Sequence, residues 1–278
     1  MKNLFALVAV LAVSVILFTG CKKQANDGQT GQSQTTFTVG FDAEFPPYGF
    51  LGPDGKYKGF DLDLAAEVAK RNGWKMIPKA IDWAAKDGEL SSGAIDCIWN
   101  GFTITEERKE QYTWSEPYVQ NKQVILVKKG ANLATFADLN GKIVAAQDGS
   151  SGAEAMESKL KETQEANAAF SFKEFKKIKD YVTAKTMLES GAIDALAVDN
   201  AVAEGFISKA PDTFVLFAEP LMFEEYGVGF KKGNTDLRDI VQRTLHEMVN
   251  DGTAAKICAH WATAEAENGG NAIDFILK

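Results

Sequence analysis

The chain has 278 residues, 45% of them hydrophobic and 24% charged, with 30 basic against 38 acidic side chains and a formal net charge of −8. This is a globular composition, and its acidic balance lacks the electrostatic footprint needed for nucleic acid or an anionic bilayer. Three cysteines and two histidines form no metal-ligand spacing, so neither a metal nor a cofactor is expected.

The chain opens with the short basic start Met1-Lys2-Asn3, followed by an apolar run from Leu4 to Phe18 interrupted only by Ser14. Thr19-Gly20-Cys21 then makes a small-residue exit. That order is a secretory signal, and the run falls short of the roughly 20 residues of a spanning helix. The stretch LFTGC resembles a bacterial lipobox, with Phe18 where leucine is commoner. Residues 1–20 are therefore read as a lipoprotein signal peptide and Cys21 as the lipidated (palmitate-bearing) first residue of the mature chain. Residues 21–36 are polar, as KKQANDGQTGQSQTT after the cysteine, and cannot bury enough surface to order themselves. They read as a tether spanning roughly 20 Å root-mean-square.

TFTVGF (36–41) reads as a strand and is followed by a loop rich in Pro and Gly. Asp61 is expected to cap a helix over Leu62–Asn72 that Gly73 ends, and Trp74–Ala80 is the next strand. LSSGAID (90–96) then precedes the apolar strand CIWN (97–100). The same phrase returns as LESGAID (188–194) before ALAV (195–198). In both copies glycine stands just past a helix, where a left-handed residue closes the last turn. The spacing is too long for a solenoid repeat and indicates two similarly built α/β lobes. Between the copies, KIVAA (142–146) reads as a strand, QDGSSG as a loop, and residues 153–161 as a helix. QVILVKK (123–129) and FVLF (214–217) are read as two crossings between lobes, and helices over Asp236–Val249 and Thr253–Trp261 as returning to the first lobe. Lobe 1 is accordingly placed at 37–122 plus 218–278 and lobe 2 at 123–217. Ligands of such sheets bind beyond the carboxyl ends of the strands, where Asp42, Asn100, Gly101, Gln147 to Ser151 and Asp199 fall. Cys97 and Cys258 either pair outside the cytoplasm or are two small buried hydrophobes.

Four stretches carry a family resemblance: VGFDAEFPPYGF (39–50), GKYKGFDLDLAAEVAKR (55–71), GFTITEERKEQYTWSEPY (101–118) and NDGTAAKICAHW (250–261). Together they resemble the bacterial extracellular solute-binding proteins of family 3, the polar-amino-acid binders. Ser151 stands where threonine is common, and DGTAAKI lacks the usual tyrosine. The resemblance implies the two-lobed periplasmic-binding-protein fold of class α/β, with a two-crossing hinge. It also implies capture of a polar amino acid, of the glutamine, histidine, arginine or lysine class, for an ABC transporter membrane permease. A free amino acid needs a fixed cation for its carboxylate and a fixed anion for its ammonium. By resemblance Arg108, whose planar fork suits a carboxylate, holds the former with Thr103 and the backbone of Ser151, and Asp199 holds the latter. Phe45 and Trp83 match side-chain stacking positions, Asp42 the contact to the distal polar group, and Asn100, Gly101 and Gln147 complete the set. Glu44 and Asp82 are read as solvated.

An enzyme on the same scaffold is the main rival. It would need a poised acid or base in the cleft, and both histidines lie in the C-terminal helical region. A sensor or adhesin is the third reading. The expectation is a monomeric, non-enzymatic binder in the cell envelope, held to the membrane by lipid.

Overall fold

The computed structural model describes residues 35–262 and 273–278. The signal segment and Cys21 lie outside the described residues, as does the tether up to residue 34.

The first lobe is built on strand β1 (Thr36–Phe41), which pairs in parallel with β5 (Lys75–Ala80) and β6 (Cys97–Ile98). Strand β14 (Gly229–Lys231) adds antiparallel to β6, and β7 (Tyr112–Trp114) antiparallel to β14. Alternation along β1 turns Phe37, Val39 and Phe41 to a core shared with Leu64, Ala65 and Val68 of helix α1 (Phe60–Arg71). Helices α7 (Thr235–Asn250) and α8 (Thr253–Trp261) pack on α1. On the other face, Leu90 of α2 (Lys86–Ser92) joins Ile98, Phe102 and Tyr112. Strands β2 (Glu44–Phe45), β3 (Gly49–Leu51) and β4 (Tyr57–Lys58) make a small antiparallel sheet, and the short helix α3 (Glu106–Gln111) precedes β7.

The second lobe has the order β10 (Glu174–Ile178), β9 (Ile143–Gln147), β11 (Ala195–Asp199), β8 (Val119–Lys128) and β12 (Phe214–Leu216). The first three strands are parallel, and β8 and β12 run antiparallel to their neighbours. Its central strands β9 and β11 and the later part of β8 are buried and apolar up to their ends, as strands covered on both faces are, whereas the edge strand β10 carries Glu174, Lys176 and Lys177 and is mostly half-buried or exposed. Ile125, Val127, Val144 and Ala146 share a core with Ala153 and Met156 of α4 (Ser151–Ala166). Leu126, Ala145, Leu196 and Val198 share another with residues of α5 (Tyr181–Ser190) and α6 (Asn200–Lys209).

The two SGAID phrases do the same structural work. Gly93 and Gly191 are both left-handed, with φ 78° and ψ 17° or 16°, closing α2 and α5. The aspartate that follows then pins the neighbouring strand. Asp96 Oδ2 accepts from Thr38 N at 2.6 Å, and Asp194 Oδ2 accepts from Ile143 N at 2.8 Å. Each repeat thus sets the register of a parallel strand pair and aims the strand ends at one place.

Two expectations are corrected. FVLF does not cross between lobes: Phe214–Leu216 pairs with Lys128 to Leu126 inside the second sheet. The return is β13 (Met222–Tyr226), antiparallel to Val119–Gln123 of β8, with β15 (Asp274–Phe275) beside the same stretch. The outward crossing therefore lies at 119–123, ahead of the apolar part of β8. MFEEY alternates between half-exposed or exposed and buried residues and carries charge, so a search for apolar runs passes over it. Asp61 does not cap α1. Gly59 holds the N-cap position, and Asp61 sits inside the first turn with its carboxylate turned inward. There it accepts from Gly101 N at 2.6 Å and Tyr118 Oη at 2.8 Å. Cys97 and Cys258 are both free.

Candidate functional site

Strand ends from both lobes converge on one cavity. Asp42 follows β1, Asn100 follows β6, Gln147 ends β9 and Asp199 ends β11. All ten residues singled out in the sequence line this cavity: Asp42, Phe45, Trp83, Asn100, Gly101 and Thr103, then Arg108, Gln147, Ser151 and Asp199. Ser150 and Tyr181 line it too. The lobes are drawn together until the cavity is about 20 Å³, space for roughly one water.

One end is cationic. Arg108, 4% exposed, lies on α3, whose N-cap Thr105 accepts from Arg108 N at 3.2 Å. Its guanidinium crosses between lobes. Nη1 donates to Thr103 O at 3.3 Å, and Nη2 to Gly149 O at 3.1 Å and Glu154 Oε1 at 2.6 Å. Its carbon lies 5.1 Å from the centre of the Phe102 ring. Lys86, which the sequence reading missed, also reaches across, donating to Gly149 O at 3.3 Å. Burial, and then the charge of Arg108, push the Lys86 ammonium below its ordinary pKa. Ser151 opens the 16-residue helix α4 behind the N-cap Ser150, so the partial positive charge of a helix N-terminus adds to the two cations. Ser151 Oγ meets Thr103 Oγ1 at 3.0 Å across the cleft.

The opposite end is anionic. Asp199 stands at the N-cap of α6, yet its side chain makes no cap bond. Instead its carboxylate accepts from Asn121 Nδ2 at 2.9 Å, Tyr181 Oη at 2.9 Å and Tyr226 Oη. Those donors come from three elements, and the partners on β8 and β13 are adjacent in space only because the crossings pair.

The third region is acidic and aromatic. Asp42 accepts from Glu44 N at 2.9 Å and from Gln147 Nε2, while Asp42 N donates to Asn100 Oδ1 at 3.0 Å. Burial raises the Asp42 pKa against those hydrogen bonds, and Asp180 and Asp82 raise it further. Glu44 is raised as well, by burial and then by Asp180 and Asp42. Glu44 and Asp82 are exposed, and Asp82 pairs with Lys179 at 3.4 Å, but four carboxylates still surround this end. Phe45 packs between Tyr48, at 5.4 Å, and Tyr181, at 5.8 Å. Trp83 meets Phe102 edge-on at 5.5 Å, with Lys86 Nζ 5.6 Å from its ring. Gly101 has φ 54°, and a Cβ there would lie 2.6 Å from Phe45 Cε1. Only glycine lets the chain pass under that ring.

Tyr181 and Lys86 escaped the sequence reading because each opens a helix and looks like an ordinary first-turn residue. The signal available for Tyr181 was its place after Asp180, the N-cap that follows β10.

Residues 37–264 match the family described as bacterial extracellular solute-binding proteins, family 3. The L-cystine-binding protein TcyJ of Escherichia coli (strain K12) is 31% identical over 264 residues, covering 94% of this chain and 96% of that protein. An ancestral arginine-binding protein bound to arginine has a TM-score of 0.74 at 38% identity, covering 83% of this chain and 99% of that one. An ABC uptake transporter substrate-binding protein from Streptococcus pneumoniae with bound histidine has a TM-score of 0.74 at 33% identity, over 81% of this chain and 92% of that one.

Proposed function

Because the chain belongs to the bacterial extracellular solute-binding proteins of family 3, we propose that it captures a free polar amino acid between its lobes and presents it to the membrane permease of an ABC importer. One observation carries this reading. A cationic end built on Arg108 and the α4 N-terminus and an anionic end built on Asp199 face a single inter-lobe cavity. That is the charge pattern of a zwitterion. In this assignment Arg108, Thr103 and Ser151 take the α-carboxylate and Asp199 takes the α-ammonium. Phe45 and Trp83 flank the side chain, and Asp42, Asn100 and Gln147 meet its distal group, with Gly101 giving room for close approach. Within the glutamine, histidine, arginine and lysine class, the carboxylates Asp42, Glu44, Asp82 and Asp180 favour a cationic side chain, and aromatic faces add about 0.5–2 kcal/mol for such a group.

The cavity admits no amino acid until the lobes part. A zwitterion that touches both lobes favours the closed state over the open one, and that difference in affinity drives closure. The role is binding rather than catalysis, at the cell envelope, with the lipid on Cys21 as anchor.

Isothermal titration with L-arginine, L-lysine, L-histidine, L-glutamine and L-cystine tests the reading, alongside small-angle scattering. The wild type should bind at least one and become more compact. Asp199→Ala leaves a buried ammonium unpaired and should cost about 3–5 kcal/mol, or roughly two to four decades in affinity. Arg108→Ala should cost a similar amount. Binding within threefold of wild type by Asp199→Ala, with compaction intact, would remove the two-lobe clamp.

A further inference from the structure

Beneath the cleft, where β8 and β13 run side by side, lies a carboxyl group with no part in the clamp. Glu224 on β13 is 7% exposed. Its Oε1 accepts from Asn121 Nδ2 at 2.6 Å and from Gln123 Nε2 at 2.9 Å, both on β8. Its Oε2 is buried without a hydrogen-bond partner, and so is Oε1 of Gln123. Asn121 Nδ2 also donates to Asp199 Oδ1 at 2.9 Å, so a single amide bridges two carboxylates. Gln123 Nε2 also reaches Ser151 Oγ at 3.3 Å, which in turn meets Thr103 at 3.0 Å. An unbroken run of hydrogen bonds therefore joins the anionic end of the cleft to the cationic end, and Glu224 is its middle.

We propose that Glu224 is a positioning residue of the ammonium end, holding a proton while the cleft is empty and releasing it to solvent when a ligand ammonium reaches Asp199. The inference rests on the amino-acid reading of the cleft. Two buried carboxylates joined through one amide disfavour a second negative charge. A proton on Oε2 also turns an orphan acceptor into a donor, which is what this network lacks. Burial and then the charge of Asp199 raise the Glu224 pKa to about 7, against hydrogen bonds from Gln123, Asn121 and Ser151. An arriving ammonium offsets the second cause, so the proton leaves and the carboxylate formed attracts the ligand.

Other titratable groups stand near Glu224, among them Asp61, which with Glu224 acts on Tyr48. Tyr48 of the first lobe, Tyr181 of α5 and Tyr226 of its own strand are neutral phenols whose pKa values are raised well above the ordinary one, by burial first. The cavity behind the crossings brings Glu106 and Lys109 from α3, Lys122 from β8 and Asp274 from β15 toward it, with Glu225 next in sequence. Lys109 is engaged by Glu106 at 2.5 Å. On α6, Glu204 accepts from Asn200 Nδ2 at 2.7 Å. Arg108 is held at the far end of the network by Thr103 and Glu154.

The test is titration calorimetry at pH 6.5 in two buffers of different ionisation enthalpy. The probes are L-arginine, L-lysine and L-glutamine, whose own groups do not titrate between pH 5.5 and 8. On binding, the wild type should release roughly half a proton or more. Glu224→Gln should release none and bind about tenfold more weakly at pH 8, tenfold being the affinity equivalent of one pKa unit. The two proteins should converge at pH 5.5, and Glu224→Asp should restore the release. If Glu224→Gln does not fold, the L-glutamine profile of Asp61→Asn decides, because it lacks the other carboxyl that titrates near 7 and the probe brings no side-chain charge to Asp42. Affinity that rises from pH 5.5 to 7 and then levels supports the proposal, and a flat profile overturns it. Binding without proton release, or equal release by Glu224→Gln, overturns the role of Glu224 alone. A wild type that binds none of the probes overturns the amino-acid reading together with it.

Discussion

Arg108 shows how much a residue's neighbours decide. Its fork is satisfied by two backbone carbonyls and by Glu154, so under the proposed clamp a ligand carboxylate displaces a carboxylate already there. Glu154 keeps 40% of its side chain exposed, and a pair of that kind contributes about 0.2–1 kcal/mol. Glu154→Ala should therefore tighten amino-acid binding by up to about fivefold. Weaker binding in the same titration would show that Glu154 supports the site instead of competing for it. Asp199 is the complementary case. Its position at the head of α6 suggests a cap, but three side-chain donors draw its carboxylate off the helix and into the cleft.

At the scale of the element, α1 places a charge-bearing group where the first lobe is driest. Burial pushes the Asp61 carboxyl up to about 7, against hydrogen bonds from Gly101 N and Tyr118 Oη. The unfolded group titrates near its ordinary 3.8, so between about pH 4 and 7 the native state binds the extra proton. Stability from this group is thus greatest below pH 4 and is lost as pH rises through 7. At about 1.4 kcal/mol per pKa unit, the change is on the order of 4 kcal/mol. Asn at this position can accept from Gly101 N and offer its amide N–H to the Tyr118 oxygen, in place of the bond that Tyr118 Oη now donates to Asp61. Urea unfolding of Asp61→Asn should accordingly show little of the wild-type decline between pH 5 and 8. An unchanged decline would assign it to other groups. The SGAID turns make a different point about elements: one short phrase, used twice, closes a helix and pins a parallel strand in each lobe.

In the whole molecule, two segments, Val119–Gln123 and Met222–Tyr226, pair with each other where the chain passes between the two sheets. Contacts between lobes form at Thr103–Ser151, Asp42–Gln147 and Arg108–Glu154, and on the proposed reading a ligand enters by breaking them. Among the described residues no helix is long and apolar enough to cross a membrane. On the proposed lipoprotein reading, LFTGC offers Cys21 for lipid. The mature protein isolated from membranes should begin at a lipid-bearing Cys21. Mass spectrometry showing Met1 retained, or Cys21 unmodified, would rule this out.

Local patterns made much of this legible. The repeated SGAID phrase announced two lobes because glycine past a helix end and aspartate before a buried strand have local causes. Asp42, Gln147 and Asp199 could be placed near one site because strand ends of parallel sheets converge, whereas Arg108, on a helix, joined them only through the family resemblance. What sequence could not carry was pairing between distant segments. The crossing at Met222–Tyr226 is a half-exposed, charged strand that exists because it pairs with Val119–Gln123, and its own residues give no apolar run. Asp61 reads as a cap until folding brings Gly101 and Tyr118 to it. Glu224 is one of two adjacent glutamates in the chain, and only pairing buries it while Glu225 stays exposed. A buried charge acquires its chemistry from atoms remote in sequence, and those atoms are assigned by tertiary packing alone.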